Sequence, residues 1–400
     1  MFRFTLIHQA RKSRARCGQL QTPHGTLSTP AFVFCATKGA IKGVSTETMR
    51  SLNTAIILSN TYHLHVYPGY AWVAKHGGLH KIMDWSGPMM TDSGGFQIFS
   101  LGHGGVSQEI KGKGQNRKRY PVKITEKGAT FRSYRDGSSL TLTPELSMTI
   151  QHALGADLVM PLDECTPFHQ SYRQTQEAME RSHRWEMRSL KMFQKLNTSG
   201  QQTLYGIVQG GVHPDLRQQS VDFVNQTGFW GQAIGGSLGR DHHEMHDVVS
   251  RTSALMDPAR PKHLLGIGYV RDILHGVRCG LDTFDCVHPT RLARHGGALI
   301  TAHYWQDANE PIHTRESLNI SRSLFADDQR PIDDQCLCPT CQQYTRAYLH
   351  YLWKSQELLA LTALTIHNVF YMNRLMAEIR AHIPHDTLDQ VYHRFLAPSP

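Results

Sequence analysis

Three aspartates with glycine, cysteine or proline close by are the strongest candidates for chemistry. Asp92 lies in TDSGGFQ, Asp163 in LDEC and Asp285 in FDCVHPTR. Two carboxylates at one glycosidic carbon can divide the roles of nucleophile and general acid or base. The aspartates therefore predict chemistry at a sugar carbon.

Other segments carry groups that can recognise a planar heterocycle. Gln209 and the backbone of Gly235 and Gly236 can hydrogen-bond to its edge, and the ring of Phe96 can cover its face. Cys165 is interpreted as a wall of this pocket rather than a nucleophile. Residue types alone predict recognition of a base combined with carboxylate chemistry on the attached sugar.

A cysteine triplet near the C-terminus predicts a metal site. The segment CLCPTC supplies Cys336, Cys338 and Cys341, and His367 follows on a predicted helix over 355–383, with His350 as a second candidate. Thiolates and imidazole suit Zn²⁺, whose structural sites are four-coordinate and closed. We expect one structural zinc ion per chain, because a shell filled by protein atoms leaves no position for an activated water.

Short apolar runs alternate with helix-like segments through most of the chain. The predicted strands are Ala31–Cys35, Ala55–Leu58, Pro88–Met90, Asp157–Met160, Leu204–Val208, Gln232–Ile234, His263–Ile267 and Leu281–Phe284. Predicted helices include Gln174–Leu196 and Leu216–Asn225. About eight strands that alternate with helices predict an α/β fold with a closed parallel barrel.

Five of the predicted strands run into polar or glycine-rich segments. These segments are TDSGG, PLDEC, QGG, GGSLG and DCVHPTR. The carboxyl ends of strands in a βα barrel face one common site. We therefore expect the five segments to line one pocket, although each segment alone is also consistent with an ordinary turn.

The composition excludes several classes of protein. Among 400 residues, Lys and Arg number 42 against 33 Asp and Glu, which gives a formal net charge of +9. This excess favours a polyanionic partner without separating nucleic acid from phosphate or membrane. No stretch approaches the roughly 20 apolar residues of a membrane span, and the N-terminus lacks a secretory signal. With cysteines that form no disulfide framework, we expect a cytoplasmic protein without a membrane partner.

One segment departs from the alternating pattern. Residues Gly102–Arg135 form a predicted excursion from the barrel, and Lys and Arg crowd the run Lys111–Lys123 within it. Such a run is typical of a solvated loop. We hypothesise that it adds a phosphate contact.

The motifs together resemble those of one enzyme family. The matching segments are ATKGAIKG, SNTYHLHVYPG, TDSGGFQIFSLG, LTPELSMTIQHALGADLVMPLDECTP, YGIVQGGVH, HLLGIG, FDCVHPTR and the cysteine triplet with its histidine. They resemble the tRNA-guanine transglycosylases of the bacterial type, also called queuine tRNA-ribosyltransferases. The matches follow the family order through nearly the whole chain, and their combination is highly specific.

The resemblance implies a fold and an activity. It implies an irregular (β/α)8 TIM barrel over residues 1–330 and a zinc-binding subdomain with C-terminal helices over residues 331–400. It also implies exchange of guanine at wobble position 34 of tRNAs with a GUN anticodon, those for Asp, Asn, His and Tyr. The incoming base is a 7-deazaguanine, in queuosine biosynthesis or salvage. The family precedent is a homodimer, and DNA is not an expected partner.

The resemblance further implies roles for individual residues. Asp285 attacks C1′ of the ribose and forms a covalent ribosyl-enzyme, and Asp92 is the general acid/base, with the target base flipped out of the tRNA. The expected base-binding residues are Asp92, Ser93, Gly94, Gly95, Phe96, Asp163, Gln209, Gly235 and Gly236. The expected RNA-contacting residues are Gly266, Ile267, Gly268, Tyr269, Val270, Arg271, Asp272, Thr290, Arg291, Leu292, Ala293 and Arg294.

One segment departs from the bacterial pattern. Where bacterial relatives read GGLAVGE, this chain reads GGSLGRD, with Gly239 at the valine position and Asp241 at the acidic position. Bacterial members mostly take 7-aminomethyl-7-deazaguanine, whereas eukaryotic members take the bulkier queuine. We hypothesise that the missing side chain admits queuine; the alternative is that Gly239 only permits a different turn.

Other classes of protein account for fewer of these features. A non-catalytic partner subunit of a transglycosylase should lack one of the two catalytic carboxylates, and this chain has both. The archaeal relative carries further RNA-binding domains, for which we expect no room after His367. A plain glycoside hydrolase would not account for the zinc motif, and a zinc-dependent RNA-binding module would not account for the carboxylates.

Overall fold

The computed structural model describes residues 1–98, 122–302 and 316–396. Its strands are β1 (Arg3–Gln9), β2 (Arg16–Thr22), β3 (Gly25–Thr29), β4 (Ala31–Cys35), β5 (Ile56–Ser59), β6 (Met89–Thr91), β7 (Lys123–Thr125), β8 (Gly128–Arg132), β9 (Ser139–Leu142), β10 (Leu158–Val159), β11 (Thr203–Val208), β12 (Gly231–Ile234), β13 (Lys262–Leu264), β14 (Thr283–Cys286), β15 (Gly297–Leu299) and β16 (Ser317–Asn319). Most of the basic run Lys111–Lys123 lies outside the described residues, so its phosphate contact stays a hypothesis.

The helices fall mainly between the strands from β4 to β14 and after β16. They are α1 (Thr46–Ser51), α2 (Thr61–Val66), α3 (Tyr70–Lys75), α4 (Gly78–Met83), α5 (Pro144–Leu154), α6 (Tyr172–Leu196), α7 (Pro214–Gln226), α8 (His242–Leu255), α9 (Val270–Arg278), α10 (His288–Ala293), α11 (Pro339–Gln343), α12 (Arg346–Lys354), α13 (Leu358–His382) and α14 (Leu388–Phe395). In the part of the chain that the structure describes, no helix has both the length and the apolar character needed to cross a membrane.

Eight parallel strands close into a barrel in the order β4-β5-β6-β10-β11-β12-β13-β14, and β14 pairs with β4 to complete it. All eight predicted strands are present, with ends displaced by only a few residues. Helices lie between successive barrel strands on the outside. The predicted α/β fold with a closed (β/α)8 barrel is therefore confirmed.

The barrel strands read as continuous apolar runs because both of their faces are covered. On β4, Phe32 and Phe34 pack with the surrounding helices, whereas Val33 packs inside the barrel with Met90 and Ile207. The interior is thus a filled core, and the pocket can form only where the strands end.

The long helix α6 begins where its sequence provides a cap. The side chain of Ser171 accepts from the N–H of Gln174, and the Gln174 side chain accepts from the N–H of Ser171, which is a capping box. Both orphan N–H groups at the helix start are thereby satisfied. The helix begins two residues before its predicted start at Gln174, because the cap rather than the apolar spacing determines its first turn.

Among the described residues, three small antiparallel sheets were not predicted. Strands β1–β3 form one sheet before the barrel, β7–β9 form a second between β6 and β10, and β15–β16 form a third after β14. The second sheet contains the described part of the excursion predicted over Gly102–Arg135. Its hairpin β8–β9 turns over 133–138, so the tip of that hairpin carries the last residues of the excursion.

A second hydrophobic core surrounds the cysteine triplet. It combines Ala293, Ala298 and Ile332 with Leu349 and Leu364. Helix α13 contributes to this core at its beginning and to the barrel core further along, from Val369 to Ile379. The boundary predicted between residues 330 and 331 stays a prediction.

Candidate active site

The Asp92 carboxylate follows β6 and accepts three hydrogen bonds. The N–H of Thr61 donates to Oδ1 over 2.9 Å, Gln97 Nε2 donates to Oδ2 over 3.2 Å, and Asn60 Nδ2 also donates to Oδ2. Burial raises the pKa of Asp92 to about 7; the Thr61 N–H opposes this rise and the charge of Asp285 adds to it. Near neutral pH the carboxyl is therefore available in both of the forms that a general acid/base requires.

The Asp285 carboxylate on β14 has one oxygen held firmly and one held weakly. Oδ1 accepts from the N–H of Gly266 over 2.9 Å and from His263 Nε2 over 3.1 Å. The other nitrogen of this buried imidazole lies 2.9 Å from Thr283 Oγ1, which holds the ring in place, and the carboxylate, which can only accept, makes Nε2 the donor. Only the Cys35 thiol, 3.8 Å away, approaches Oδ2 among the described residues. Oδ2 is therefore the oxygen better suited to attack an electrophile.

Asp163 and Gln209 form a hydrogen-bonded pair at the ends of neighbouring barrel strands. Gln209 Nε2 donates to Asp163 Oδ2 over 2.8 Å, and Ser93 Oγ donates to Oδ1 over 3.2 Å. Burial raises the pKa of Asp163 to about 6, and the hydrogen bonds from Ser93 and Gln209 limit that rise. The carboxyl is thus mainly ionised at neutral pH, and an ionised carboxylate can accept two N–H groups from one base edge.

Glycines let the backbone approach this pair closely. A Cβ atom on Gly95 would lie 2.6 Å from the Asp163 carbonyl oxygen. Gly236 has a φ of +76°, and a Cβ atom there would lie 2.6 Å from Gln209 Oε1. Larger residues at either position would displace the pair, so the glycines of TDSGG and GGSLG shape the pocket rather than merely turn the chain.

The buried guanidinium of Arg217, on α7, ties together the segments that follow β11 and β12. It donates to the carbonyl oxygens of Gly211 at 2.7 Å, Val208 at 2.9 Å, Gly235 at 3.0 Å and Ser237 at 3.2 Å. Burial lowers the pKa of Arg217 to about 10, which leaves it charged at neutral pH. One side chain thereby sets the backbone on both sides of Gln209 and Gly236.

The two segments predicted to contact RNA flank Asp285 in the chain. Gly266 and Arg291 are at least partly exposed, whereas the Arg294 side chain donates to the Thr290 carbonyl over 2.8 Å. Asp272, by contrast, is 3% exposed and binds two histidines of α8. The RNA contacts stay predictions, and Asp272 is placed to support its neighbours rather than to meet a ligand.

The cysteine triplet and His367 converge on one point. His367 Nδ1 lies 3.8, 3.5 and 3.3 Å from the sulfurs of Cys336, Cys338 and Cys341, and all four side chains are buried. A tetrahedral zinc site has ligand atoms about 3.6 Å apart, so these residues fit zinc. His367 Nε2 donates to the Leu299 carbonyl over 2.7 Å, which leaves Nδ1 as the ligand atom.

His350, the other candidate ligand, lies outside this group. Its Nδ1 is 2.7 Å from the carbonyl oxygen of Ile320. Among the described residues, one further group has metal-ligand spacing, His24, His80 and Asp157. There His24 Nδ1 lies 2.7 Å from the buried Asp157 carboxylate, and His80 Nε2 lies 3.5 Å from the same carboxylate and 3.1 Å from the Gly87 carbonyl oxygen. These contacts tie the β2–β3 turn to the start of β10.

Comparison with known proteins shows the family of this chain. The model of the family described as "TGT: Queuine tRNA-ribosyltransferase" matches residues 11–400. The chain belongs to the queuine tRNA-ribosyltransferase family. A queuine tRNA-ribosyltransferase from Roseiflexus sp. (strain RS-1) is 44% identical over 93% of each chain. The one from Protochlamydia amoebophila is 41% identical over 97% of this chain and 96% of its own. The one from Chlamydia pneumoniae is 44% identical over 96% and 99%.

Membership of the queuine tRNA-ribosyltransferases makes this chain an enzyme, a tRNA-guanine transglycosylase that transfers a pentosyl group in the queuosine pathway. Its polyanionic partner is tRNA, in agreement with the basic composition. The resemblance inferred from the motifs is therefore confirmed.

Several residues that position the site of this transglycosylase were missed in the sequence. Asn60 and Thr61 hold Asp92, His263 holds Asp285, and Arg217 holds the base-site backbone. Asn60 and His263 lie within the quoted segments SNTYHLHVYPG and HLLGIG, each beside a strand end, which was a usable signal. Arg217 lies on a helix without such a signal, because a helical arginine is usually solvent-exposed.

Gly239 has a structural role independent of the base. Its φ is +129°, and a Cβ atom there would lie 2.8 Å from Glu244 Cγ. Asp241 is the N-cap of α8, accepting from the Glu244 N–H over 2.9 Å. The space that a valine side chain would need is occupied by Glu244, so these contacts favour the turn over an opened pocket.

Proposed function

We propose that this enzyme exchanges guanine at position 34 of tRNAs with a GUN anticodon for a 7-deazaguanine, through a covalent Asp285–ribosyl intermediate. The observation that carries the proposal is the presence of two unlike carboxyls, a firmly held Asp285 and a partly buried Asp92 with a pKa near 7. A non-catalytic partner subunit would have no need of either arrangement.

In the first displacement, Asp285 Oδ2 attacks C1′ of the flipped nucleotide as the bond from C1′ to guanine N9 breaks. The electron pair of that bond goes to N9, which takes up the proton of the Asp92 carboxyl. Gly266 and His263 keep Oδ1 in place during the attack because both donate to it. The tRNA chain stays intact because only the glycosidic bond is broken.

In the second displacement, N9 of the incoming base loses a proton to Asp92 and attacks C1′. The ester bond to Asp285 breaks, and its electron pair returns to the carboxylate. Two displacements at one carbon give retention of configuration, as in retaining glycosidases. The pKa of Asp92, about 7, suits a group that gives and takes a proton in one cycle.

The base-binding residues are Asp92, Ser93, Gly94, Gly95, Phe96, Asp163, Gln209, Gly235 and Gly236. Asp163 accepts from the N–H groups of the base edge, and Phe96, which is 45% exposed, covers the ring. We keep 7-aminomethyl-7-deazaguanine as the base, with queuine as the alternative that direct competition of the two bases would separate.

The tRNA anticodon arm contacts the segments 266–272 and 290–294, chiefly through Arg291 and Arg294, with the buried Asp272 supporting the first segment from beneath. Zinc, held by Cys336, Cys338, Cys341 and His367, supplies structural stability and takes no part in the chemistry. The enzyme acts in the cytoplasm as a homodimer. Leu337 and Leu358, 75% and 76% exposed near the zinc ligands, are apolar groups that a subunit interface would cover.

The test uses a tRNA-Tyr transcript with labelled guanine at position 34. Label release is followed after adding 7-aminomethyl-7-deazaguanine or queuine, with Asp285→Ala as the inactive control. We expect release with the small base and trapping of a covalent enzyme–tRNA species that the variant cannot form. Equal release with queuine would assign a salvage role, and no release from zinc-loaded protein would overturn the proposal.

A further inference from the structure

A cluster of exposed aromatic and cationic side chains lies beside the candidate active site. The guanidinium of Arg135 stacks 3.6 Å above the ring of Tyr67, and Lys38 Nζ lies 5.3 Å above the ring of Tyr134. Tyr67 is 55% exposed and Tyr134 is 43% exposed. We call these four residues, with Lys42, the aromatic–cationic patch.

The patch is connected to the catalytic carboxylates through α2. The N-cap of this helix is Asn60, whose side chain donates to Asp92, and its C-cap is Tyr67. Within it, the ring of Tyr62 lies 6.1 Å from the ring of Tyr134. The patch therefore lies on the face of the barrel where the base pocket opens.

Three structural elements contribute to the patch. Lys38 and Lys42 follow β4, Tyr67 follows α2, and Tyr134 and Arg135 lie at the tip of the β8–β9 hairpin. None of these residues belongs to the segments 266–272 and 290–294, which flank Asp285. A ligand bound by both regions would be held from two sides of the pocket.

The charge of the patch is positive. Among the ion pairs of the described residues, none involves Lys38, Lys42 or Arg135. The neighbouring Asp136 carboxylate accepts from the N–H and hydroxyl of Ser138 within the hairpin turn. Burial and the two lysines lower the pKa of His63, beneath the patch, to about 4, so this imidazole is neutral and does not repel them.

Alternating aromatic faces and cations match unpaired nucleotides. Bases stack on tyrosine rings and on guanidinium planes, while lysines contact the phosphates between them. We propose that the aromatic–cationic patch binds the single-stranded anticodon-loop nucleotides next to position 34. This inference rests on the proposed function, since it assigns the patch to the same tRNA substrate.

The patch would hold the loop open while the target base occupies the pocket. A base that leaves the anticodon loop loses its stacking partners, and the neighbours that stay behind need new ones. The Arg135–Tyr67 pair supplies a preformed stacking platform at the end of the helix whose N-cap holds Asp92. Its loss should therefore weaken tRNA binding without changing the chemistry at Asp92 or Asp285.

The experiment measures binding of unmodified tRNA-Tyr at several salt concentrations with full-length, zinc-loaded enzyme. The variants are Arg135→Glu, Arg135→Lys, Tyr67→Ala and Tyr67→Phe. Arg251→Glu, on the outer end of α8, reverses the charge of an exposed arginine away from the pocket and is the matched control. Guanine exchange gives KM and kcat for each variant.

We expect Arg135→Glu to weaken tRNA binding about tenfold or more, with a shallower salt dependence and a nearly unchanged kcat. Tyr67→Ala should weaken binding about tenfold, whereas Tyr67→Phe and Arg135→Lys should stay within a few-fold of wild type, because they keep the ring and the charge. Arg251→Glu should have little effect on binding.

Two outcomes would overturn the inference. The first is an active wild type with the affinity and salt dependence of Arg135→Glu equal to those of Arg251→Glu. The second is a change in oligomeric state, measured by sedimentation, in Arg135→Glu with unaltered tRNA binding, which would make the patch a protein interface. A wild type without base exchange would instead contradict the proposed function, so the two failures are distinguishable.

Discussion

We expect the protonation state of the Asp92 carboxyl to determine how the reaction rate depends on pH. Its pKa of about 7 predicts that guanine release, which needs the acid, weakens above pH 7, and that deprotonation of the incoming base, which needs the carboxylate, weakens below it. We expect a bell-shaped dependence of kcat on pH with a maximum near neutrality. Asp92→Asn should lower kcat by about 10²–10⁴-fold, measured by label exchange across a pH range of about 5–9.

The raised pKa of Asp92 also predicts that the folded protein is less stable when this carboxyl is ionised. Because the folded-state pKa of Asp92 lies above its ordinary value of about 4, the fold favours the protonated form. The contribution of Asp92 to the free energy of unfolding is therefore fully present below about pH 4 and is lost as the pH rises through about 7. Asp92→Asn should unfold at a higher temperature than wild type at about pH 8, with the difference shrinking toward about pH 4. A lower unfolding temperature in the alkaline range would contradict a destabilising buried charge at this position.

His263 is a positioning residue for the nucleophile, because it donates to Asp285 Oδ1 and is itself fixed by Thr283. His263→Phe keeps an aromatic ring but removes the donor, and a hydrogen bond to a charged group contributes about 1.5–3 kcal/mol. We expect formation of the covalent enzyme–tRNA species to slow by about 10–100-fold, while the Kd for tRNA stays nearly unchanged.

The control for this prediction is His263→Gln, which retains an N–H donor on a side chain of similar reach. Partial recovery of the rate in His263→Gln separates positioning from packing. If both variants lose equal activity and equal thermal stability, His263 has only a structural role.

At the level of loops and helices, we expect loss of the Arg217 side chain to weaken base binding and to lower the stability of the fold. Arg217→Ala would leave the carbonyl oxygens of Gly211, Gly235 and Ser237 without their donor, whereas that of Val208 would keep the Gly235 N–H, 3.0 Å away. Since a buried polar group without a partner costs about 1–3 kcal/mol, the free energy of unfolding should fall by several kcal/mol. The KM for the base should rise more than the KM for tRNA, measured at a temperature where the variant is folded. Equal changes in both would argue against a specific role in the base pocket.

Helix α13 links the metal group to the predicted RNA segment. Next to His367, the buried Asn368 donates to the carbonyls of Pro289 and Gly297 and accepts from the Leu299 N–H. Pro289 lies in α10, which also carries Arg291. Asn368→Ala should weaken tRNA binding and lower the unfolding temperature while the zinc content, measured by elemental analysis, stays equal to that of the wild type. Loss of zinc in this variant would mean that Asn368 supports the metal group itself.

Strand positions could be predicted because short apolar runs between turn residues are typical of strands buried on both faces. The run Ala31–Cys35 matches β4 completely, whereas His263–Ile267 overruns β13, since Leu265 and Ile267 are apolar for reasons of packing beyond the strand. Within the small antiparallel sheets, β7 and β9 were missed because they are half exposed and carry no continuous apolar run. The apolar pattern of a sequence reports burial, so strands that are only partly buried leave a weak signal in it.

For the molecule as a whole, the sequence motifs locate the three carboxylates but do not show which side chain supports which carboxylate. Asp92, Asp163 and Asp285 follow or end predicted strands, and a closed barrel brings strand ends together whatever the loops do. His263 hydrogen-bonds to Asp285, 22 positions away, and Arg217 hydrogen-bonds to Gly235, 18 positions away. A single sequence does not show which distant residues contact each other. The metal group was predictable because its ligands are close in sequence, apart from His367.

The four buried side chains that fit a zinc ion are connected to the predicted RNA segment through one helix, α13. His367 and Asn368 are consecutive, so the zinc ligand and the residue that fastens the α10 region turn together on one helix. If these four side chains hold zinc, its loss would loosen α13 and, through Asn368, the α10 region that carries Arg291. Zinc depletion is then expected to lower the extent of tRNA modification by this enzyme, and with it the decoding of the codons that those tRNAs read.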